Sequence, residues 1–513
     1  MTGKDTGYTF RIRDRKISSA LAPTIAIGGK VTDGMGKPVS GAEIWLRLFT
    51  RERHVLHAKS EAQGRFVLEV PSAWVAELPP WDRANTLWAY ASGDQWPTGG
   101  YQPGPHLGTA KVAPSGGASD VVVRLGPTFE NRFTVLDPEG RPCEGALVEP
   151  YYIRTSLGYE PVPEWLLARI GVRTDAEGRV KLPAVPPDLL YQVRVTTPDF
   201  GIQLQRTDGS EPRAVVGRTI RLRPVGKIEG RVLADQPEMA RGVRLVFTSE
   251  QVVNEPAARS TEAWLTEGFA DVESDEQGRF VVPAMATGTV RIDAYVDDEL
   301  PLRPRVPPSV EVLPNHTTTL DVPMAPTVVV RGSVRATDTG EPIPGVRVHV
   351  YYGVGRQGAD PVSDAQGRYT APVLPGPIRL QVIYMPEEYV QSRGVGFPFP
   401  SYEVPADAKV FELPPLEAVP AKSITGRVID ESDQPVANVR ISILVGNRYF
   451  GHGKSDRNGR FNLTGVPTTI DPAKVKYQWN PEVGSTMPSE CEVVKANPLV
   501  LRTLPRAARI DRP

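Results

Sequence analysis

Six histidines bound the metal and acid–base chemistry open to this 513-residue chain: His54, His57, His106, His316, His349 and His452. A zinc peptidase needs His-x-x-Glu and a distant third histidine. Three residues beyond these six stand His57, Ser60, Thr109, Thr319, Tyr352 and Ser455, so the glutamate is never in place. His54 and His57 fall on an expected strand at an odd spacing, which sends them to opposite faces. Gly451-His452-Gly453-Lys454-Ser455 imitates the end of a phosphate-binding loop. Arg448 stands where the first glycine belongs, however, and the segment leads into a strand where such a loop must open a helix. No Gly-x-Ser-x-Gly elbow occurs, and neither Cys143 nor Cys491 has a histidine nearby in the sequence. Asp175, Asp275, Asp364 and Asp456 invite a calcium reading, but each turn offers one carboxylate and no Asp-x-Asp-x-Asp-Gly loop. Turn capping is the expected role. The chain reads as no enzyme, with no metal and no cofactor.

Those aspartates belong to a signature present five times: Ser-Glu-Ala-Gln-Gly-Arg-Phe at 60–66, then 174–180, 274–280, 363–369 and 455–461. A repeat of about 100 residues suits a small self-contained domain and is too long for a solenoid unit. The first residues cap a type I turn, and Gly64, Gly178, Gly278, Gly367 and Gly459 supply a left-handed position. Phe66, Val180, Phe280, Tyr369 and Phe461 then begin a strand facing inward. The arginines just before them, Arg65, Arg179, Arg279, Arg368 and Arg460, face outward in a structural role.

Upstream of each corner lies an alternating strand and a Pro-apolar-x-Gly-apolar run. Copy one has Ile27, Gly29, Val31, Pro38, Val39, Gly41, Ala42 and Ile44; copy four has Val330, Gly332, Val334, Pro342, Ile343, Gly345, Val346 and Val348. In copy five Asn438 replaces the glycine, the other residue that tolerates positive φ. Copy two carries Phe133 in place of the first-strand glycine. It also has an insert at 151–170, whose 163–168 reads as helical turns. Copy three has a longer insert at 250–267, and 71–78 in copy one reads as a short helix.

Each copy ends in a strand followed by proline. The 52 prolines are about twice average usage and favour an all-β chain. The expected plan is five tandem transthyretin-like or immunoglobulin-like β-sandwiches joined by short proline-bearing linkers into a rod. The boundaries are a lead-in at 1–24, sandwiches at 25–126, 127–224, 225–325, 326–417 and 418–505, and a tail at 506–513.

Charges nearly cancel, 59 basic against 60 acidic, so no global field draws the chain to nucleic acid or to an anionic membrane. No apolar run reaches the roughly 18 residues of a membrane span. Arg11, Arg13, Arg15 and Lys16 ahead of 17–27 loosely imitate a signal peptide, but Pro23 and the shortness of the run favour an unstructured lead-in. Cys143 and Cys491 fall in different copies and are expected to be free thiols. Trp45, Trp74, Trp81, Trp88 and Trp96 put five of eight tryptophans in copy one, beside Tyr90 and Tyr101. Sugars stack on exposed flat aromatics, which makes Trp74, Trp81, Trp96 and Tyr101 candidate contacts. The alternative is that Trp88 and Tyr90 fill an enlarged core.

The pattern Gly-x-Val, Pro-x-x-Gly-Ala-x-Val, Thr/Ser-Asp-x-x-Gly-Arg-Phe resembles the carboxypeptidase regulatory-like domain, a transthyretin-like seven-stranded sandwich. It is shared with collagen-adhesin B-type repeats and starch-binding-like domains. Copies one, four and five match best, and together the copies cover nearly all of 25–505. The resemblance implies a non-catalytic accessory or surface role of bacterial type, outside the cytoplasm. The first functional expectation is a spacer, scaffold or adhesion module meeting polysaccharide or a cell-surface protein. The second is a carbohydrate-binding protein whose site lies in copy one.

Overall fold

The computed structural model describes residues 23–48, 54–76, 78, 85–91, 106–112, 117–126, 131–155, 158–182, 190–206, 218–250, 266–296, 300–353, 357–392, 400–437, 439–445, 448–456, 458–481, 489–496 and 498–503. They are nearly all β. The chain divides into two compact units, Met1–Phe129 with Pro183–Pro186, and Glu130–Leu182 with Pro187–Pro513.

In the first unit the strand Thr24–Thr32 lies between Arg65–Pro71, which is antiparallel to it, and Ala118–Arg124, which is parallel. A second sheet runs in the order Val55–Lys59, Glu43–Arg47, Asn85–Ala91, His106–Val112. Strand alternation sends Ile27, Val31, Phe66 and Leu68 of one sheet against Ile44, Leu46, Leu87 and Ala89 of the other. The short helix expected at 71–78 is Ser72–Ala76.

The second unit holds the other four copies and repeats this layout. The parallel partner of the opening strand recurs as Arg218–Arg221 beside Asn131–Leu136, Thr317–Pro326 beside Val225–Leu233, and Val410–Glu412 beside Val328–Ala336. Separate apolar clusters form around Phe247 and Phe280, around Val348 and Tyr369, and around Ile443 and Phe461. The helical insert of copy two is Glu164–Ile170, which buries Leu166, Leu167 and Ile170.

The joints within this unit differ from the expected linkers. Gly201–Arg206 of copy two pairs with Thr266–Glu273 of copy three, which merges their second sheets into one of nine strands. Only Thr327 separates the strand ending copy three from the strand opening copy four. Leu416–Ile429 is a single strand serving two copies: its first half pairs with Val328–Ala336, its second with Arg460–Pro467 and Leu499–Thr503. The second sheet of copy five also closes onto the first. Leu416–Ile429, Arg460–Pro467, Arg448–Lys454, Val439–Val445, Lys476–Pro481, Ser489–Ala496 and Leu499–Thr503 form a ring with no open edge.

Candidate functional site

The repeated corner is the first place to look for chemistry, and the fold uses its hydroxyl and glycine in every copy and its aspartate in four of the five. Asp364 Oδ1 accepts from the backbone N–H groups of Gln366 and Arg368 at 2.9 and 2.8 Å. Asp175, Asp275 and Asp456 do the same in their copies. Those bonds, the Arg179 and Arg368 N–H groups foremost, hold the Asp175 and Asp364 carboxyls below the usual carboxylate range. The second oxygen of Asp175 receives Arg179 Nε at 3.2 Å. Copy one has Glu61 instead, with no side-chain cap, and passes through a 3₁₀ turn at Ala62–Gly64.

The preceding serine or threonine is a buried staple. Ser363 Oγ donates to Ile343 O at 2.8 Å and accepts from Val346 N at 2.9 Å, which ties the corner to the Pro-x-x-Gly run. Ser60, Thr174 and Ser274 repeat both bonds. The corner glycines have φ between +69° and +73°. A Cβ on any of them would strike a carbonyl oxygen of the opening strand, from Val31 in copy one to Val428 in copy five.

The opening-strand glycine makes room for the inward aromatic. A Cβ on Gly29, Gly230 or Gly426 would lie 2.9, 2.7 or 2.5 Å from Cζ of Phe66, Phe280 or Phe461, and one on Gly332 would lie closer still to Tyr369. Copy two exchanges the pair: Phe133 faces Val180, so the ring comes from the other strand. The five arginines are exposed and the residues that follow them are buried.

Of the candidate sugar contacts, Trp81, Trp96 and Tyr101 lie outside the described residues. Trp74 is half-buried against the core of copy one, and its ring stacks on His54 with centroids 4.0 Å apart. His57, on the other side of the same edge, stacks on Trp45 at 4.9 Å. Trp45 and Trp88 are directly opposed across two strands, on the face turned away from the core, yet only 6% and 2% exposed.

Two charged clusters had no clear signal in the sequence. In copy two Arg194 donates to Glu149 at 2.8 Å and to both oxygens of Glu164 at 3.0 and 3.1 Å, and it lies over the Tyr151 ring. Burial opposes the Arg194 charge, but the two carboxylates outweigh it and keep the guanidinium protonated. Burial also pushes the Tyr151 phenol up to about 12. Glu164 opens the insert helix, so this cluster straps the helix to the sheet. Glu164 within an insert was the only available clue. In copy four Asp360 accepts from His349 Nδ1 at 2.6 Å and from Arg347 at 2.7 Å. The pair resembles two-thirds of a hydrolytic triad, but the other His349 nitrogen bonds no hydroxyl or thiol among the described residues. Arg448–Lys454 is a strand, not the loop of a phosphate site. Among the described residues no cluster of His, Cys, Asp and Glu is placed to hold a metal. No helix there is long and apolar enough to cross a membrane. Both cysteines are free, and burial raises both thiols, that of Cys491 to about 12.

No family model and no curated protein matches the chain, so the resemblance to the carboxypeptidase regulatory-like domain stands on its motifs. Solved structures do match. A streptococcal ancillary pilin is 11% identical with a TM-score of 0.21, over 55% of this chain and 100% of its own. The minor pilin GBS52 of Streptococcus agalactiae is 11% identical at 0.22, over 38% and 97%. The major pilin subunit BcpA of Bacillus cereus is 9% identical at 0.16, over 77% and 99%.

Proposed function

We propose that this chain is a non-catalytic structural and interaction protein. Its five β-sandwich copies serve as a spacer, scaffold or adhesion module outside the cytoplasm. The observation that carries this is the repeated corner: its buried hydroxyl and its glycine in every copy, and its aspartate and aromatic in four of the five, are occupied in holding the copy that contains them. A motif kept for catalysis would leave a nucleophile or base free to act. Extracytoplasmic placement rests on the family resemblance. Antibody raised against the purified chain should label intact cells of its source organism; labelling only after permeabilisation overturns that placement. Replacing Arg65, Arg179, Arg279, Arg368 and Arg460 together by alanine should leave capture of envelope material by the full chain intact. Loss of capture by a folded variant would make the corners binding apparatus.

The alternative is a polysaccharide contact at Trp74, Trp81, Trp96 and Tyr101, favoured by the concentration of five of eight tryptophans in copy one. The full chain on a glycan array decides it. Binding lost on Trp81→Ala with Trp96→Ala supports that site, and an array with no bound glycan dismisses it.

A further inference from the structure

The strand that opens each copy and the strand that closes it are parallel neighbours. Thr24–Thr32 runs beside Ala118–Arg124, Asn131–Leu136 beside Arg218–Arg221, and Val225–Leu233 beside Thr317–Pro326. Val328–Ala336 runs beside Val410–Glu412, and Leu416–Ile429 beside Leu499–Thr503. In a parallel pair the start of the first strand and the end of the second lie at opposite ends of the ladder. Tension drawn through the chain therefore slides the two strands along each other. All bridging hydrogen bonds are loaded at once, whereas a pull on two adjacent ends would open them one after another. Forced unfolding is governed by the barrier to that event and not by equilibrium stability.

We infer that this protein has a mechanical function: each copy is a shear clamp that bears tension along the chain. The inference rests on the structural-protein reading above, since an enzyme or a free ligand carrier has no need of it. Three features support the geometry. The opening strand is the middle strand of its sheet, so its antiparallel partner across the corner is sheared as well: Lys30 pairs with Arg65 while it also pairs with Val122. The buried serine staples fasten the corner that joins that partner to the rest of the copy, as Ser274 does between Ala240 and Val243. In the second unit the load passes from copy four to copy five through one uninterrupted backbone strand, Leu416–Ile429. The ladders also differ in length. Copy three pairs every residue from Lys227 to Leu233, whereas copy four pairs Val329 to Arg331, is interrupted, and resumes at Val334.

Single-molecule stretching of the full chain, with both native cysteines changed to serine, tests this on copy three. Handles on Lys227→Cys and Asp321→Cys load the ladder lengthwise. Handles on Lys227→Cys and Thr317→Cys, which face each other at one end, peel it. The three sites are not buried, and matched heat-unfolding curves check that the variants are folded. The lengthwise pull should require several-fold more force. Substituting Thr318→Pro, which removes the N–H that faces Lys227 O across this ladder, should raise the lengthwise rupture rate at fixed load about five-fold or more, given roughly one hydrogen bond lost. Equal forces in the two directions overturn the clamp while leaving the spacer reading in place. Surface labelling that fails with unequal forces overturns the placement and leaves the clamp.

Discussion

Tyr369 stands where three other copies carry phenylalanine, and its hydroxyl is buried beside Gly332 with no hydrogen-bond partner. Burial pushes that phenol far above the ordinary tyrosine value, so it stays protonated. Tyr369→Phe removes an unsatisfied polar group and should raise the stability of copy four by about 1 kcal/mol, read from the urea midpoint. Ser363→Ala should act in the opposite sense. It strips partners from Val346 N and Ile343 O inside the copy and should cost about 1–3 kcal/mol. The exchanged pair of copy two makes a sharper test. Phe133→Gly alone should cost about 3–5 kcal/mol as a cavity, and adding Val180→Phe should recover most of it, because the double variant restores the arrangement of the other copies. These sites show what could be foreseen. Outward arginines, inward residues after them and aspartate caps follow from alternation and turn chemistry; the first two occur in all five copies, and the cap in four, since Glu61 of copy one caps nothing. The serine staple was hidden because a serine before an aspartate in a turn looks solvent-facing. Phe133 was noticed as a departure, but its compensation by Val180 lies on a partner strand that one sequence does not mark.

At the scale of elements, the strands, corners and two short helices were legible because periodicity and glycine placement are local signals. The joints were not, because strand pairing between copies is a long-range property and proline reads as a linker wherever it stands. Gly201 marks one such joint: it has φ +63°, and a Cβ there would strike the Ala284 carbonyl of the next copy. Gly201→Val should loosen the shared sheet, seen as faster amide exchange in both Gly201–Arg206 and Thr266–Glu273. Acid should act on the corners. The Asp175 and Asp364 carboxyls titrate below their unfolded value, so the stability they contribute is present above about pH 4 and is lost as the pH falls through the folded value. Asp364→Asn, whose amide oxygen still accepts the turn bonds without titrating there, should flatten the acid limb of a plot of unfolding midpoint against pH.

For the whole molecule, the second unit should not melt as independent beads. Ser274→Ala in copy three is expected to speed amide exchange in Gly201–Arg206 of copy two as well, through the sheet they share. The raised thiols add a chemical readout. Cys491 should resist alkylation in the native protein and react readily in denaturant, with mass spectrometry following the label. The strand Leu416–Ile429 carries a last consequence. A gene cut before it leaves copy four without its second closing ladder, and a cut after it leaves copy five without the strand that completes its ring. Recombination can therefore shuffle these two copies only as a pair, so the shortest heritable module at this end of the chain is a doublet.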